Sequence, residues 1–299
     1  MKVAYVLERL GGVADAGTLR GYTSRAKVRR ALRRGHIVRD VRGRYALPGA
    51  DDALRAANRL SGVLSLDSAA KHYGWELKHQ PTSPSVTVPR NRKVAPERRL
   101  GVRVRYADLE PHEIRGVATA PGTTVMDCSS RMPFDEALTI ADSALRHRDV
   151  TKPQLLELAQ KMPARYRARC LRVAQAASGK AANPFESVLR AIALEVPGLE
   201  MEPQVVIADG RFRVRPDLVD ERLRLVAEAD SFEWHGSRKA LLRDCRRYTG
   251  LVRRGWTVIR FAWEDVMLHP AYVAAVLRDM VRRQPFGRAL EEESERLTA

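Results

Sequence analysis

Residues 183–285 show the clearest alternation of helix and strand patterns in this 299-residue chain. An apolar stripe at helical spacing covers 185–195, and helical patterns return at about 237–253 and 271–283. Between them lie short apolar runs of strand length. The order of one helix, three strands, a helix, a strand and a helix predicts a small α/β domain. The predicted strands are 205–207, 212–219, 223–229 and 256–261.

Three carboxylates stand out in the predicted hairpin at 212–229. Asp217 lies on its first strand, and Glu228 and Asp230 lie two residues apart near the end of its second strand. Alternate strand residues share a face, and a turn at 220–222 sets Asp217 opposite 227–228, so we expect the three to converge. Their mutual repulsion calls for a cation, and oxygen-only ligands favour Mg²⁺ or Mn²⁺. Such an ion can activate water at a phosphodiester, whereas the alternative is an acidic surface hairpin without a ligand.

The stretch after this hairpin is basic. Cations beside a metal site can hold a phosphate, although a charged helix face is most often only solvated. His235 lies past the predicted strand end, at a rim where catalytic groups are common, and a core or capping role is its alternative. The basic residues concerned are Arg238, Lys239, Arg243, Arg246 and Arg247.

The first 50 residues predict a small DNA-binding unit. Helical patterns at 3–10, 14–21 and 25–34 precede a hairpin whose turn is Arg42-Gly43-Arg44. This is the order of a winged helix-turn-helix domain, in which the third helix enters the major groove. The alternative is a basic helix that contacts protein. The residues assigned to DNA are Arg25, Lys27, Arg29, Arg30, Arg33 and Arg34 on the third helix, with Arg42 and Arg44 in the wing.

Charge supports a nucleic-acid partner. The chain has 53 Lys and Arg against 36 Asp and Glu, a net charge of +17. Such a surplus favours a polyanion, although a GC-rich genome also raises arginine content. The basic residues concentrate at the N-terminus, where residues 1–50 hold 12 Lys and Arg and 3 Asp and Glu. Double-stranded DNA is therefore the predicted partner.

Other function classes receive no support from the sequence. Cys128, Cys170 and Cys245 lie far apart, so neither a zinc module nor a disulfide framework is indicated. No apolar run reaches the length of a membrane helix, and charge breaks the first apolar stretch too early for a secretory signal. The prediction is a cytoplasmic, nucleoid-associated protein that does not contact the membrane.

Several short motifs occur in a distinctive order in the C-terminal third. They are Asn183-Pro184-Phe185-Glu186, Arg215-Pro216-Asp217, Glu228-Ala229-Asp230-Ser231-Phe232-Glu233-Trp234-His235, Arg243-Asp244, Arg246-Arg247 and the segment 255–261. Together they resemble the very-short-patch-repair-like endonuclease domains of the P-D-(D/E)-x-K superfamily. The resemblance implies a restriction-endonuclease-like fold and Mg²⁺-dependent phosphodiester cleavage.

By position in these motifs, Asp217 and Glu228 would hold the metal, Glu186 would support them from the first helix, and His235 would lie near the scissile phosphate. The sequence departs from the superfamily at its lysine position, which holds Asp230. An aspartate cannot supply a lysine's positive charge, and Arg238 or Lys239 are candidates to replace it. This family often has an aspartate at that position.

Residues 1–50, with 64–75 and 123–146, resemble the winged-helix antitoxins of the AbiEi kind. That resemblance implies DNA binding and regulation of a neighbouring operon. The predicted fold class is α+β, with a winged-helix domain at 1–50, a mixed α/β region at 51–178, a restriction-endonuclease-like domain at 183–285 and an acidic tail at 286–299. The functional alternatives are a Mg²⁺-dependent endonuclease, a non-catalytic operator-binding regulator, and a component that acts with a toxin or defence-system partner protein.

Overall fold

The computed structural model describes residues 2–230 and 238–283. The fold is mixed α/β, with the strands gathered in several small sheets. The chain forms two compact units: unit 1 comprises Met1–Met132 and Asp149–Leu171, and unit 2 comprises Pro133–Arg148 and Arg172–Ala299. Among the described residues, no helix has both the length and the apolar character needed to cross a bilayer.

Unit 1 begins with a three-stranded sheet and three short helices. The elements are α1 (Val3–Arg9), β1 (Val13–Asp15), α2 (Ala16–Arg20), α3 (Arg25–Arg33), β2 (Val38–Val41) and β3 (Arg44–Ala46), with the sheet order β1-β3-β2. Ser24 caps α3, because its side chain accepts the Lys27 amide at 3.4 Å. The predicted helix at 14–21 is wrong over its first residues, since β1 pairs with β3 and only Ala16–Arg20 is helical.

The rest of unit 1 is a five-stranded sheet with helices. Its strand order is β6-β5-β4-β8-β7, and Val13 and Ala46 of the first sheet share a core with Leu54 and Leu60. The predicted boundary at residue 50 therefore does not coincide with a unit boundary. The further elements are α4 (Asp52–Leu60), β4 (Val63–Leu64), α5 (Leu66–His72), β5 (Ser85–Val88), α6 (Pro96–Arg99), β6 (Arg103–Tyr106), β7 (Ile114–Arg115), β8 (Ala118–Thr119), α7 (Pro121–Arg131), then α9 (Lys152–Lys161) and the first part of α10 (Ala164–Ala176).

Unit 2 contains a four-stranded sheet of order β14-β13-β12-β9 and a separate hairpin, β10-β11. The predicted strand 212–219 is divided, because Pro216 has no amide hydrogen for a ladder and the chain bends there. A short helix that the sequence analysis missed, α13, follows the last strand. The elements are α8 (Phe134–Arg146), α11 (Pro184–Ala193), β9 (Glu202–Pro203), β10 (Ile207–Asp209), β11 (Phe212–Val214), β12 (Leu218–Asp220), β13 (Leu225–Asp230), α12 (Arg238–Val252), β14 (Thr257–Ala262), α13 (Trp263–Leu268) and α14 (Pro270–Arg283).

The two faces of β13 carry different surroundings. Leu225 and Ala227 belong to the larger core of unit 2, with residues of α11, α13 and α14. Val226 lies in a smaller core on the other face, with Leu251 of α12. Because side chains alternate along a strand, Glu228 and Asp230 share the face of Val226, which α12 covers. The fold thus places two of the three predicted carboxylates beneath a basic helix.

Candidate active site

Asp217 lies at the bend that leads into β12, and the neighbouring strands fix its carboxylate. Leu218 pairs with Ala227, so Asp217 is next to Glu228 across the hairpin, as the sequence analysis predicts. The Asp217 carboxylate accepts the Ala229 amide at 2.9 Å and the side-chain amide of Gln204 at 3.2 Å. These bonds hold the Asp217 side chain in place against the end of β13.

Glu228 is buried, with 3% of its surface exposed, and contacts both an acid and a base. Asp217 lies across the strand pair from Glu228, and both its charge and its hydrogen bonding act on the Glu228 carboxyl. On the other side, Arg247 of α12 donates to Glu228 Oε1. Burial, together with the charge of Asp217, outweighs Arg247 and raises the pKa of Glu228 to about 8. Glu228 therefore keeps its proton at neutral pH in the absence of any bound cation.

Glu186 joins this pair from the first turn of α11. Its side chain accepts the Ala182 amide at 2.8 Å and the Asn183 side-chain amide at 3.0 Å, while Asn183 caps the helix. Gln204 donates to Glu186 at 3.1 Å as well as to Asp217, so one amide group bridges the two carboxylates. Burial, together with the charge of Asp217, raises the pKa of Glu186.

Gln204 was missed by the sequence analysis. Its backbone is left-handed, with φ of 58°, and its backbone N–H donates a hydrogen bond to the Asp217 carbonyl at 3.0 Å. Both features hold Gln204 in place. A glutamine beside a short apolar run gives no signal of such a position, because the position depends on the bend and not on strand spacing.

Asp230 lies two residues beyond Glu228 on β13, and a base of the neighbouring strand pairs with it. It forms an ion pair with Arg260 of β14, and this bond raises the pKa of Arg260. The Arg260 guanidinium also lies 4.4 Å from the ring centre of Tyr248. Burial, with the charges of Glu228 and Asp230, raises the pKa of Tyr248 to about 12. Glu186 is a further carboxylate near Asp217, whose charge acts on it.

Three predicted site residues cannot be compared with the structure in full. His235 lies outside the described residues. Arg238 and Lys239 begin α12, but their side chains are not part of what the structure describes.

The predicted DNA-binding residues of α3 lie on its outer face. Val28 and Ala31 are buried against α1, while the basic residues of the helix point to solvent. In the wing, Arg42 is exposed, and Arg44 lies 3.9 Å from the Asp15 carboxylate. The exposed basic residues of this helix and its C-cap are Arg25, Lys27, Arg29, Arg30, Arg33 and Arg34.

The donor chemistry of the pair fits a magnesium or manganese ion. Asp217 and Glu228 offer only oxygen atoms, and Mg²⁺ is commonly held by one or two carboxylates with waters and substrate phosphates as its remaining ligands. Within residues 2–230 and 238–283, no group of three or more His, Cys, Asp or Glu side chains is arranged to hold a metal ion. The fit is thus to a two-carboxylate site and not to a closed cage of protein ligands.

Glu228→Gln is expected to stabilise the metal-free protein increasingly as pH rises. The folded carboxyl keeps its proton up to about pH 8, whereas an unfolded glutamate loses it near 4.5. The stabilisation that this proton gives is complete below pH 4.5, and it is lost progressively between pH 4.5 and about pH 8. Glutamine has no such proton to lose, so its advantage grows by up to about 1.4 kcal/mol per pH unit within this window.

The measurement is urea unfolding in EDTA across the pH range. Glu195→Gln is the matched control, because Glu195 is exposed and pairs with Arg172 at 2.7 Å. A constant difference between Glu228→Gln and wild type at every pH would contradict the raised pKa.

Comparison with known proteins gives relatives but no family. No family model matches the chain. The solved structure of the RV2827C protein from Mycobacterium tuberculosis is similar over 70% of this chain and 87% of that chain, with a TM-score of 0.33 and 16% identity.

Two curated relatives extend over most of the chain. The uncharacterized protein MT2308 of Mycobacterium tuberculosis strain CDC 1551 / Oshkosh is 26% identical over 269 residues, which cover 86% of this chain and 97% of the relative. The uncharacterized protein Rv2248 of strain ATCC 25618 / H37Rv has the same identity and coverage. An alignment of this length includes residues of both units, so the chain resembles these mycobacterial proteins as a whole.

Proposed function

We propose that the chain acts on DNA, and that unit 2 hydrolyses phosphodiester bonds with a Mg²⁺ or Mn²⁺ ion held by Asp217 and Glu228. The observation that carries the proposal is the contact between these two carboxyl groups beside Arg247. Placing a buried acid, Glu228, next to a half-buried one, Asp217, is costly unless a cation or proton compensates them. A divalent ion bound for catalysis is a functional reason to keep such a pair.

The sequence resemblance supports the same function. Asp217 and Glu228 are the positions at which the very-short-patch-repair-like endonucleases would place their metal ligands, and Glu186 lies in the motif on the first helix. The run of α11, β12, β13, α12 and β14 is compatible with a restriction-endonuclease-like core. The contact of Glu186 with Gln204, which also binds Asp217, links the motifs of Glu186 and Asp217 in one network.

Each residue of the network has a role in this proposal. Asp217 and Glu228 bind the ion, and Gln204 orients Asp217 while it keeps Glu186 beside it. Glu186 adds negative charge at the site and can orient a water molecule. When bound, the ion supplies a Lewis acid and lowers the pKa of a water that attacks phosphorus. Asp230 is neutralised by Arg260 and contributes no positive charge in the place of the superfamily's lysine.

The N-terminal part of unit 1 would deliver the chain to DNA. Its order of three helices and a hairpin, with the sheet β1-β3-β2, is compatible with a winged helix-turn-helix. Exposed arginines on α3 are then available for the major groove, and Arg42 for the adjacent backbone.

Cleavage of supercoiled plasmid by the full chain tests the proposed function. With Mg²⁺ or Mn²⁺ we expect conversion to nicked and linear forms, and with EDTA the plasmid should stay supercoiled. The proposal fails if plasmid, linear duplex and single-stranded DNA all remain intact with either metal at a molar excess of protein.

A second candidate function is a non-catalytic DNA-binding regulator. The observation that favours it is that arginines of the protein already neutralise two of the acids: Arg247 pairs with Glu228, and Arg260 pairs with Asp230. Such a chain would bind an operator without cutting it. DNA binding without cleavage, in every metal tested, would favour this function over the first.

Both functions predict that α3 carries DNA affinity. The double variant Arg29→Ala/Arg33→Ala is expected to weaken duplex binding by about tenfold or more and to lower the slope of log K against log salt by about 1.8, since each phosphate contact adds about 0.9. The measurement is fluorescence anisotropy over a salt series. The control Lys161→Ala/Arg172→Ala also removes two positive charges, from ion pairs with Glu157 and Glu195 outside α3. It should change neither the duplex affinity nor the salt slope. Equal effects of the two double variants would contradict a role for α3.

A further inference from the structure

Arg247 is the basic side chain that contacts the carboxylate pair directly. It projects from α12, donates from Nη2 to Glu228 Oε1, and lies 3.5 Å from the Arg215 carbonyl oxygen. Its side chain is 26% exposed, so it is partly open to solvent. The Glu228 side chain that it contacts is 4% exposed.

The guanidinium is incompletely paired where it lies. Its Nε atom is buried and has no hydrogen-bond partner among the described residues. A buried donor without an acceptor destabilises the protein, and this cost is regained when an acceptor arrives. Arginine binds best to two oxygens of one planar or tetrahedral anion, through parallel N–H groups. The contact with one oxygen of Glu228 therefore leaves part of this binding capacity unused.

A metal ion and Arg247 would compete for the same carboxylate. Glu228 Oε1 accepts from Arg247, and Asp217 lies across the strand pair from the same residue. A divalent ion on the pair neutralises Glu228 and repels the guanidinium, so its attraction to Glu228 weakens. A phosphate of bound DNA is an anion that could then receive the arginine.

We propose that Arg247 is an exchangeable hydrogen-bond donor: it donates to Glu228 in the metal-free protein, and it releases Glu228 and donates to a non-bridging phosphate oxygen of the DNA backbone when metal and DNA are bound. The proposal rests on the proposed function of the Asp217–Glu228 pair. No covalent bond changes in this step, since one hydrogen-bonded ion pair replaces another. Arg247 then supplies a positive charge to the phosphate, although it comes from α12 and not from the superfamily's lysine position, which Asp230 holds.

The exchange makes metal and DNA binding cooperative. Metal frees Arg247 for the phosphate, so metal should tighten DNA binding, and DNA should tighten metal binding by the same factor. Removing the arginine should have opposite effects on the two ligands: metal alone should bind more tightly, because its competitor is gone, and the gain in DNA affinity on adding metal should disappear.

The test compares wild type, Arg247→Ala, Arg247→Lys and a control, Arg254→Ala, as full chains. Arg254 is a matched control, because it also pairs with an acid of unit 2, Asp209 at 2.9 Å, away from the carboxylate pair. Mn²⁺ binding is measured by isothermal titration, and the Kd for a short duplex is measured with EDTA and with Mn²⁺ on ice, with a gel to confirm intact DNA. Thermal unfolding checks that each variant is folded.

For wild type and Arg254→Ala we expect Mn²⁺ to tighten duplex binding by about fivefold or more. For Arg247→Ala we expect the affinity for Mn²⁺ alone to rise by a similar factor. The increase in DNA affinity on adding Mn²⁺ should vanish in this variant. Arg247→Lys keeps the charge beside Glu228, so its Mn²⁺ affinity should equal that of wild type. Its increase in DNA affinity on adding Mn²⁺ should be smaller, because an ammonium group lacks the planar pair of donors.

The possible failures can be told apart. In one outcome wild type binds Mn²⁺ and cuts DNA, while Arg247→Ala has the same Mn²⁺ affinity and the same metal-dependent increase in DNA affinity as wild type. The exchange is then wrong, and the proposed function stands. If wild type binds no Mn²⁺, the exchange and the metal-dependent function are both overturned.

Discussion

Asp217→Asn is expected to reduce metal-dependent plasmid cleavage by on the order of 100-fold or more, because one of two protein ligands of the ion loses its charge. The substitution keeps the shape of the side chain, and an amide oxygen can still accept the Ala229 amide that Asp217 binds at 2.9 Å. The fold should therefore survive the change. What is lost is the second negative charge that draws a divalent ion to Glu228.

The matched control for this prediction is Asp209→Asn. Asp209 lies on β10 of the same unit, where its exposed carboxylate pairs with Arg254 at 2.9 Å. We expect this variant to cut plasmid at the wild-type rate. The measurement is the initial rate of nicking with Mg²⁺ for wild type and both variants purified in parallel. Equal rates for Asp217→Asn and wild type would place the activity elsewhere, including in a contaminant.

Arg190→Ala is expected to destabilise unit 2 by about 3–5 kcal/mol, since it leaves a buried carboxylate without its counter-ion. Asp142 of α8 and Arg190 of α11 have side chains that are 0% and 4% exposed. Arg190 Nη2 donates to both oxygens of Asp142, at 2.7 and 2.5 Å. Two further donors reach the same carboxylate, the Ser187 hydroxyl at 2.9 Å and the Ser178 amide at 2.7 Å.

This ion pair bears on the candidate site through α11. Ser187, which binds Asp142, directly follows Glu186 in the sequence, so the pair fixes the turn of helix that presents Glu186. Loss of Arg190 should thus loosen the first helix of the site as well as lower stability.

Urea unfolding of the variant and two controls measures this effect. Arg172→Ala removes an exposed arginine whose pair with Glu195 is 2.7 Å, and it should cost about 1 kcal/mol or less. The double variant Asp142→Leu/Arg190→Met removes both charges and should recover most of the loss, because apolar side chains replace buried ion pairs well. A loss for Arg190→Ala no larger than that for Arg172→Ala would show that the buried pair is not important for stability.

The sequence predicted the central contact of the site because that contact is local. A turn between two apolar strands fixes their register over a few residues, and the pairing of Leu218 with Ala227 brings Asp217 next to Glu228. The helices α11, α12 and α14 were predicted within a few residues of their ends for a similar reason, since helical periodicity is read within one segment.

The rest of the site depends on contacts that no local pattern contains. Asp230 pairs with Arg260 because β13 and β14 are parallel neighbours, and their pairing joins residues 30 positions apart in sequence. Glu186 reaches Asp217 only through Gln204, whose position depends on a left-handed backbone. Similarly, Val13–Asp15 forms a strand because Arg44–Ala46 is available to pair with it, although its own sequence suggested a helix.

The division of the chain into two units could not be predicted from the sequence, because it too depends on contacts between distant segments. The segment Ser178–Pro184 reads as a boundary because small residues and proline interrupt the helical pattern. In the folded chain, however, α8 belongs with α11 through the Asp142–Arg190 ion pair. Tertiary packing thus overrides the local signal.

The central claim is that Asp217 and Glu228 together accept a divalent cation. Crystals of the full chain soaked in MnCl₂ test it most directly, by anomalous difference density at the manganese edge. We predict one peak within about 2.0–2.3 Å of a carboxylate oxygen from each of the two residues, with the Arg247 guanidinium moved away from Glu228. An empty pair with Arg247 still bonded to Glu228, in crystals soaked at saturating manganese, would contradict the account.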